Sequence, residues 1–464
     1  MESGFDQAWV SERLREVLKR CGDDTDGMDV CFNGAESSFM RIAESSIIQA
    51  SDITRGKVSI RAIRGRSSAR ASTTDLSIEG LKKCAERAIL NATQTPPGED
   101  NVTLPDAMPI EPINNALDDT TRDLDSVTKQ EWLTPALAAH QADKLALAGR
   151  FHTGIATFAV QSTRGVDAYH QGSWADLALS ALERPAGHRA SSCRTYFDAK
   201  VNRENVMSLA EEVRSECHQA QSPVEVDTGE WDVVLSPLAV ADLLEWFGMI
   251  AFNSQSFDDG TSFLHGRIGE RVTGSVISMV DDASVPYGMG VPLPFDVEGQ
   301  PKSRVELVTD GVAKGIVHNS RSAKRYGCRT TGHAQLSDEF PVSGSQPCHL
   351  HIEPGTGSLD EMIGRVKRGL YVTRLHYVNG MIEPRRAVMT GLLRDAAFYI
   401  EDGQIRHAVA PMRFTDSILE AFERIPSPDY VSRETRAHCS FFGPLQCTVT
   451  PSISIPKLKF TSGR

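Results

Sequence analysis

The chain has 464 residues, of which 40% are hydrophobic and 24% are charged, and its formal net charge is −12. This length exceeds one ordinary domain and predicts two or three, with enough apolar residues for a sizeable core. The acidic balance argues against a nucleic-acid-binding surface, which would be basic. The basic run Arg61–Arg70 has no interleaved aromatic residue to stack on bases, so it is interpreted as a solvated hairpin end.

The sequence predicts a cytoplasmic protein that contacts no membrane. No apolar run approaches the roughly 18 residues that a membrane span needs. The first 20 residues lack a basic segment followed by an apolar core and do not resemble a secretory signal. The nine cysteines show no CxxC spacing, which argues against a disulfide framework or a zinc ribbon. Reduced thiols in the cytoplasm are the simplest interpretation.

In the first half, apolar spacing predicts helices that alternate with short strands. The predicted helices are 6–20, Ser77–Asn91, Pro135–Ala148 and Asn205–Gln219. The predicted strands are Ser38–Ile53, Lys57–Ile63, Gly154–Ser162 and Val166–Trp174. The stretch Pro96–Thr121 is rich in Pro, Asp and Asn, and it is predicted to be a long surface connection.

The polar segment Gln221–Glu230 is the predicted domain boundary, which gives an N-terminal domain of residues 1–220 and a C-terminal domain of residues 221–464. After it, short Val, Ile and Leu runs alternate with turn signals, which predicts a β-rich domain. The predicted turns are Thr309–Gly311, Glu401–Gly403 and Val378–Gly380, and the predicted helices are Pro237–Phe252, Leu359–Arg368 and Asp416–Arg424. The predicted fold class is therefore α+β.

One ordered series of sequence blocks carries a family resemblance. Between Trp231 and Ala334 the chain reads WDVVLSPLAVADLLEWFG, TSFLHGRIGE, DDASVPYGMG, PFDVEGQP and SAKRYGCRTTGHA, and further blocks follow at LHIEPG, LYVTRLHY and TGLLRDAAFYIEDGQIR. In order and spacing these blocks resemble the C-terminal half of the TldD/PmbA family, also called the modulator of DNA gyrase family. TldD-type members carry a zinc-binding HExxxH motif on the helix after the first strand of this half. Here that helix reads LLEWFG, and no histidine occurs from Gln219 to Leu264, so the chain resembles the PmbA (TldE) type that lacks the motif.

The resemblance implies a heterodimer with a zinc-bearing TldD-type subunit, or a homodimer, and an unfolded peptide as substrate. It implies no zinc here, because Glu245 and Trp246 supply no imidazole ligand. Glu245 is interpreted as an exposed or capping residue. Cys439 and Cys447 flank the place where the family has a cysteine ligand, and they are interpreted as buried small hydrophobic residues.

Two further clusters could bind a metal. His349 and His351 lie two residues apart, on the same face of a predicted strand. They are interpreted as structural or surface histidines, with a metal site as the alternative. The acidic set Asp281, Asp282, Asp296 and Glu298 could line a peptide channel or bind a hard cation, but turn capping is the favoured interpretation. The sequence therefore predicts no catalytic, cofactor-binding or metal-binding residue in this chain.

The favoured function is a non-catalytic PmbA-like subunit of a TldD/PmbA-type metallopeptidase complex. Two alternatives remain open. One is a stand-alone homodimeric enzyme with altered chemistry, for which the Cys348–His351 segment would be a sign. The other is an interaction protein that modulates a topoisomerase or a toxin–antitoxin pair.

Overall fold

The computed structural model describes residues 4–98, 103–184, 190–284, 291–336, 344–440 and 443–462. It confirms a mixed α+β fold built on two sheets. Residues 99–102 of the predicted surface connection and residues 285–290 of the DDASVPYGMG block lie outside the described residues. Within the described ranges, no helix has both the length and the apolar character needed to cross a bilayer.

The first sheet is antiparallel and has six strands in the order β3-β2-β1-β4-β5-β6. Its strands are β1 Gly27–Ala43, β2 Ser46–Arg64, β3 Ser67–Thr73, β4 Leu145–Ser162, β5 Asp167–Glu183 and β6 Ser191–Asp198. The helices of this part are α1 Gln7–Cys21, α2 Ile78–Gln94, α3 Asp119–Arg122, α4 Ser126–Ala142 and α5 Arg203–Gln219. Helices α1 and α2 bury their apolar faces on β1 to β3, and α4 and α5 bury theirs in a second core with β4 and β5.

Two predictions in this part are wrong. The predicted strand Ser38–Ile53 is a hairpin, because Glu44 and Ser45 both adopt positive φ and reverse the chain between β1 and β2. Positive φ is uncommon for Glu and Ser, so these two residues carry no turn signal. The predicted helix Pro135–Ala148 begins at Ser126, where Asp125 caps the Thr128 amide, and residues from Leu145 onwards belong to β4.

The second sheet is mixed and has thirteen strands, with the main order β10-β9-β8-β11-β19-β7-β12-β15-β16. Its strands are β7 Gly229–Leu235, β8 Met279–Asp281, β9 Val305–Thr309, β10 Val312–Ala313, β11 His349–Ile352, β12 Arg368–Val372, β13 Leu375–Glu383, β14 Val388–Leu393, β15 Ala397–Glu401, β16 Gln404–Ala408, β17 Arg413–Ser417, β18 Val431–Ser440 and β19 Gly443–Ser462. The helices are α6 Pro237–Ile250, α7 Ser254–Asp258, α8 Ser320–Tyr326, α9 Leu359–Arg365 and α10 Ile418–Glu423.

Helix α6 is the centre of the largest core. Ser236 caps its first turn and Pro237 occupies the first helical position, as the sequence predicts. Leu243, Leu244 and Phe247 are fully buried among strands of the second sheet.

The predicted turn at Val378–Gly380 is wrong, because these residues lie inside β13. Gly380 packs closely against α6 there, since a Cβ atom at this position would lie 3.0 Å from the Trp246 ring. The predicted turns at Thr309–Gly311 and Glu401–Gly403 do join β9 to β10 and β15 to β16.

The two sheets share a core. Leu177 and Val206 of the first part are buried in the same cluster as Val234, Tyr371 and Phe398 of the second. A domain boundary near residue 220 stays a prediction. The shared core places the faces of both sheets close together and leaves a cleft beside it.

Candidate functional site

Three adjoining cavities form a cleft between the two parts of the chain. The outer cavity has a volume of about 1480 Å³, the middle cavity about 270 Å³ and the inner cavity about 470 Å³. Arg61 and Glu298 line both the outer and the middle cavity, and Val297, Ala334 and Gln335 line both the middle and the inner cavity. The shared lining residues place the three cavities side by side between the helices α7 and α8 and the middle of the first sheet.

Strand β3 lines part of this cleft. It is the edge of the first sheet and pairs with β2. Ser68 lines the outer and middle cavities, and Ala69 and Arg70 line the middle one. An edge strand carries N–H and C=O groups that can pair with an extended peptide.

A buried ion network crosses the cleft wall at Arg61. Its Nε atom lies 2.6 Å from Asp29 Oδ2, and its Nη1 atom lies 3.0 Å from Glu298 Oε1. Arg70 contacts the other Asp29 oxygen at 3.3 Å. The Arg61 side chain is only 14% exposed. The interpretation of Arg61–Arg70 as a solvated hairpin end is therefore wrong for both arginines, which face inward onto carboxylates.

The acidic set predicted from sequence divides into two kinds of contact. Asp296 and Asp282 act as turn caps: Asp296 Oδ1 accepts the amides of Glu298 and Gln300 at 2.9 and 3.0 Å, and Asp282 accepts the amide of Ser284. Turn capping is wrong for Glu298, which accepts from Arg61 and from the Ser320 amide. Burial by itself would raise the pKa of Glu298, but Arg61 and the Ser320 amide hold this pKa below its usual value.

Asp281 is also no turn cap. It is fully buried on β8, and its Oδ1 atom lies 2.6 Å from His333 Nε2. Its Oδ2 atom accepts the backbone amides of Cys348 and His349, each at 2.8 Å. The second nitrogen of His333 lies 2.9 Å from Thr331 Oγ1, so both of its ring nitrogens are engaged. This group joins three segments, and His333 is fully buried within it.

His349 and His351 lie on β11, as predicted for a strand. His349 is fully buried and its Nε2 atom donates to the Val291 carbonyl at 2.7 Å, and burial lowers its pKa to about 4. Burial also lowers the pKa of His351. Among the described residues, no group of three His, Cys, Asp or Glu side chains is placed to hold a metal ion. The contacts of His349 are those of a structural histidine.

Helix α6 does not fit a zinc ion. Asp242 and Glu245 lie one turn apart on it, and burial raises the pKa of Asp242 to about 8, although the nearby Arg374 opposes the rise. A carboxyl that keeps its proton at neutral pH is a poor ligand, and no imidazole is present on this helix. Glu245 is half-buried in the middle of α6, so the prediction of an exposed or capping residue is wrong.

Cys439 and Cys447 face each other across β18 and β19. Cys447 is buried and Cys439 half-buried within one apolar cluster, and burial raises the pKa of both thiols. Raised pKa values keep the thiols protonated and disfavour thiolate ligation. These contacts match small hydrophobic residues, and none of the nine cysteines, all of which lie in the described ranges, forms a disulfide.

Sequence reasoning named Asp296 and Cys348 of the inner cavity but missed the other polar residues that line it. Trp174, Lys302 and Gln335 line it together with Cys348, although they come from four separate segments. Gln335 Nε2 lies 2.7 Å from Cys348 Sγ. A single tryptophan in a strand and a single lysine after a proline carry no sequence signal of a site.

Comparison with known proteins places the chain among peptidase relatives. Family models described as the PmbA/TldA metallopeptidase C-terminal domain and domain 1 match residues 228–462 and 28–92. A "Metalloprotease TldD homolog" from Haemophilus influenzae is 24% identical over 404 residues, which are 83% of this chain and 81% of that protein. An uncharacterized protein from Methanocaldococcus jannaschii is 28% identical over 59% of this chain, and the aligned part spans 62% of that protein's length.

A solved structure shares the fold. The crystal structure of TldE from Thermococcus kodakarensis superposes with a TM-score of 0.83 at 21% sequence identity, and the match covers 97% of this chain and 100% of that one. At this identity the likeness concerns the fold. Relatives with TldD-type and TldE-type names both match, so these comparisons do not separate the two types.

Proposed function

The chain belongs to the TldD/PmbA metallopeptidase family, and on that premise we propose that it is a cytoplasmic, non-catalytic subunit that binds extended peptide for a zinc-bearing TldD-type partner. The observation that carries the proposal is the chemistry of α6. This helix offers a protonated Asp242 and a half-buried Glu245 where a zinc peptidase needs imidazoles.

The cleft supports the peptide-binding part of the proposal. Its three cavities lie side by side, and residues of the edge strand β3 line the outer and middle ones. Pairing with a sheet edge uses backbone hydrogen bonds and demands little sequence specificity, which suits unfolded peptides. No catalytic step is assigned to this chain, because His333 is fully buried away from the cleft lining and the Cys348 thiol is kept protonated by burial, which raises its pKa to about 11.

The test of the subunit role is reconstitution. The untagged chain is purified alone and with a TldD-type protein from the same organism, and hydrolysis of an unfolded peptide is followed with and without EDTA. We expect the two proteins to form a stable complex. We expect EDTA-sensitive hydrolysis when both are present and none from the isolated chain. Hydrolysis by the isolated chain that EDTA abolishes would overturn the proposal and favour a stand-alone enzyme.

A cleft variant tests the peptide-binding role separately. Ser68→Trp places a large side chain at the junction of the outer and middle cavities. Thr93→Trp, on the exposed side of α2, is the matched control. We expect Ser68→Trp to weaken peptide binding at least five-fold while complex formation is unchanged. Equal binding by both variants would exclude the cleft as the peptide route.

A further inference from the structure

Two buried hydrogen-bond donors of the inner cavity have no ordinary acceptor among the described residues. Trp174 lines it and is 2% exposed, and its Nε1 atom has no partner among the described residues. An edge-on contact with His152, with ring centroids 4.3 Å apart, fixes the indole. Lys302 also lines the cavity, beside the Cys348 thiol, which is a weak acceptor. The buried Nζ atom of Lys302 makes no hydrogen bond of ordinary geometry in the described part of the chain. Buried donors are ordinarily paired, so both indicate an acceptor supplied from outside.

The charges around this cavity favour an anion. Arg55, Lys57 and Lys302 line it, against one carboxylate, Asp296. Both Asp296 oxygens are already in use, because Oδ1 accepts two backbone amides and Oδ2 accepts the Ala334 amide at 2.8 Å. Asp281 lies near Lys302 behind the wall, but its oxygens are likewise occupied. The lining therefore carries three basic side chains, and each oxygen of its one carboxylate already accepts a hydrogen bond.

Part of the cavity lining is apolar. Ala156, Phe158, Leu293 and Val297 line it, and Phe158 stacks on Phe295 at 5.3 Å between ring centroids. The volume of about 470 Å³ falls within the range of roughly 300–1,000 Å³ that is typical of small-ligand pockets. A ligand that accepts from these donors and also contacts the apolar residues carries an anionic oxygen pair next to an apolar group.

We propose that the inner cavity binds a carboxylate of the peptide, next to an apolar residue, with Trp174 Nε1–H and Lys302 Nζ as donors. This inference rests on the proposed function, because it assumes that a peptide reaches the cavity along the cleft. A free C-terminus and an acidic side chain share this chemistry. Either one converts the orphaned donors into charge-assisted hydrogen bonds.

Binding of three fluorescein-labelled hexapeptides to the untagged full chain tests the proposal. The first ends in leucine as a free acid, the second has the same sequence with an amidated end, and the third is amidated and carries an internal glutamate. We expect at least ten-fold tighter binding of the free acid than of the plain amide. Tight binding of the glutamate peptide as well would support the carboxylate site and identify a side chain as a second source.

Variants assign the donors. Trp174→Phe and Lys302→Met are each expected to weaken binding of the free acid at least five-fold and to leave the plain amide unchanged. Trp132→Phe and Lys314→Met, which lie away from the cavity, are the matched controls. Equal affinity of the wild-type chain for the free acid and the amide would overturn the carboxylate site and leave the peptide-binding role standing. Failure to bind any of the three peptides would overturn both.

Discussion

Arg61→Met removes the guanidinium that joins the first sheet to the loop that carries Glu298, while it keeps an apolar side chain of similar length. Asp29 and Glu298 are buried, with side chains 2% and 6% exposed, so the change leaves two carboxylates short of a counter-charge. Breaking a buried ion pair by removing one partner costs about 3–5 kcal/mol. Asp29 keeps Arg70 at 3.3 Å, and Glu298 keeps the Ser320 amide at 3.0 Å. We therefore expect a loss near the lower bound, about 3 kcal/mol.

The matched control is Arg164→Met. Arg164 also lines the outer cavity and pairs with Asp106 at 2.6 Å, but the two side chains are 55% and 78% exposed. Exposed pairs contribute about 0–1 kcal/mol, so this variant should unfold almost as the wild type does. Urea unfolding followed by circular dichroism measures both losses.

The pH dependence gives a second test of the Arg61 network. Because the folded-state pKa of Glu298 is held below its usual value, its contribution to stability is present above the unfolded pKa of about 4.3 and is lost as pH falls further. The deficit of Arg61→Met should thus be largest at neutral pH and smallest below about pH 4.3. A loss equal to that of Arg164→Met, or a deficit independent of pH, would refute the argument.

Three other outcomes are expected. Burial lowers the pKa of His349 to about 4, so as pH falls from about 6.5 to 4 the chain should lose about 3 kcal/mol of unfolding free energy through this residue. His349→Gln should flatten that slope, as measured by urea midpoints across pH, and an unchanged slope would contradict this. Gly332→Ala should lower the thermal unfolding midpoint more than Gly65→Ala does. Both glycines have positive φ, but a Cβ at Gly332 would lie 2.3 Å from a backbone carbonyl oxygen, while one at Gly65 meets open space. Equal decreases in the midpoint would contradict this. Mass spectrometry of the untagged chain should find no stoichiometric zinc, and stoichiometric zinc that disappears in Asp242→Asn would show that α6 does bind metal.

Local signals predicted the elements that depend on local contacts. Ser236 followed by Pro237 located the start of α6 correctly, because a cap and a first-turn proline act within one helical turn. The Asn379–Gly380 pair led to a wrong turn prediction. This glycine lies inside β13 and packs against the ring of Trp246, 134 residues away in sequence. What a glycine provides, a positive φ or room for a neighbour, is decided by the tertiary structure.

The candidate site was harder to predict than the fold. The absence of imidazole from α6 could be read directly from the sequence, and it carries the functional proposal. Arg61 could not be interpreted in that way, since its partner Glu298 lies 237 residues later in the chain. A basic run on a hairpin looks the same in sequence whether it faces water or buried carboxylates.

Strand β19 has a consequence for how the protein is made. It lies inside the second sheet between β11 and β7, and it also pairs with β17 and β18, yet residues 443–462 follow every other strand of that sheet in chain order. During synthesis more than 200 residues are translated between β7 and its partner β19. Until β19 pairs with it, β7 leaves apolar residues such as Val233, which are buried in the folded protein, without this neighbour. Nascent chains of this protein should therefore depend on ribosome-associated chaperones until β19 emerges and completes the sheet.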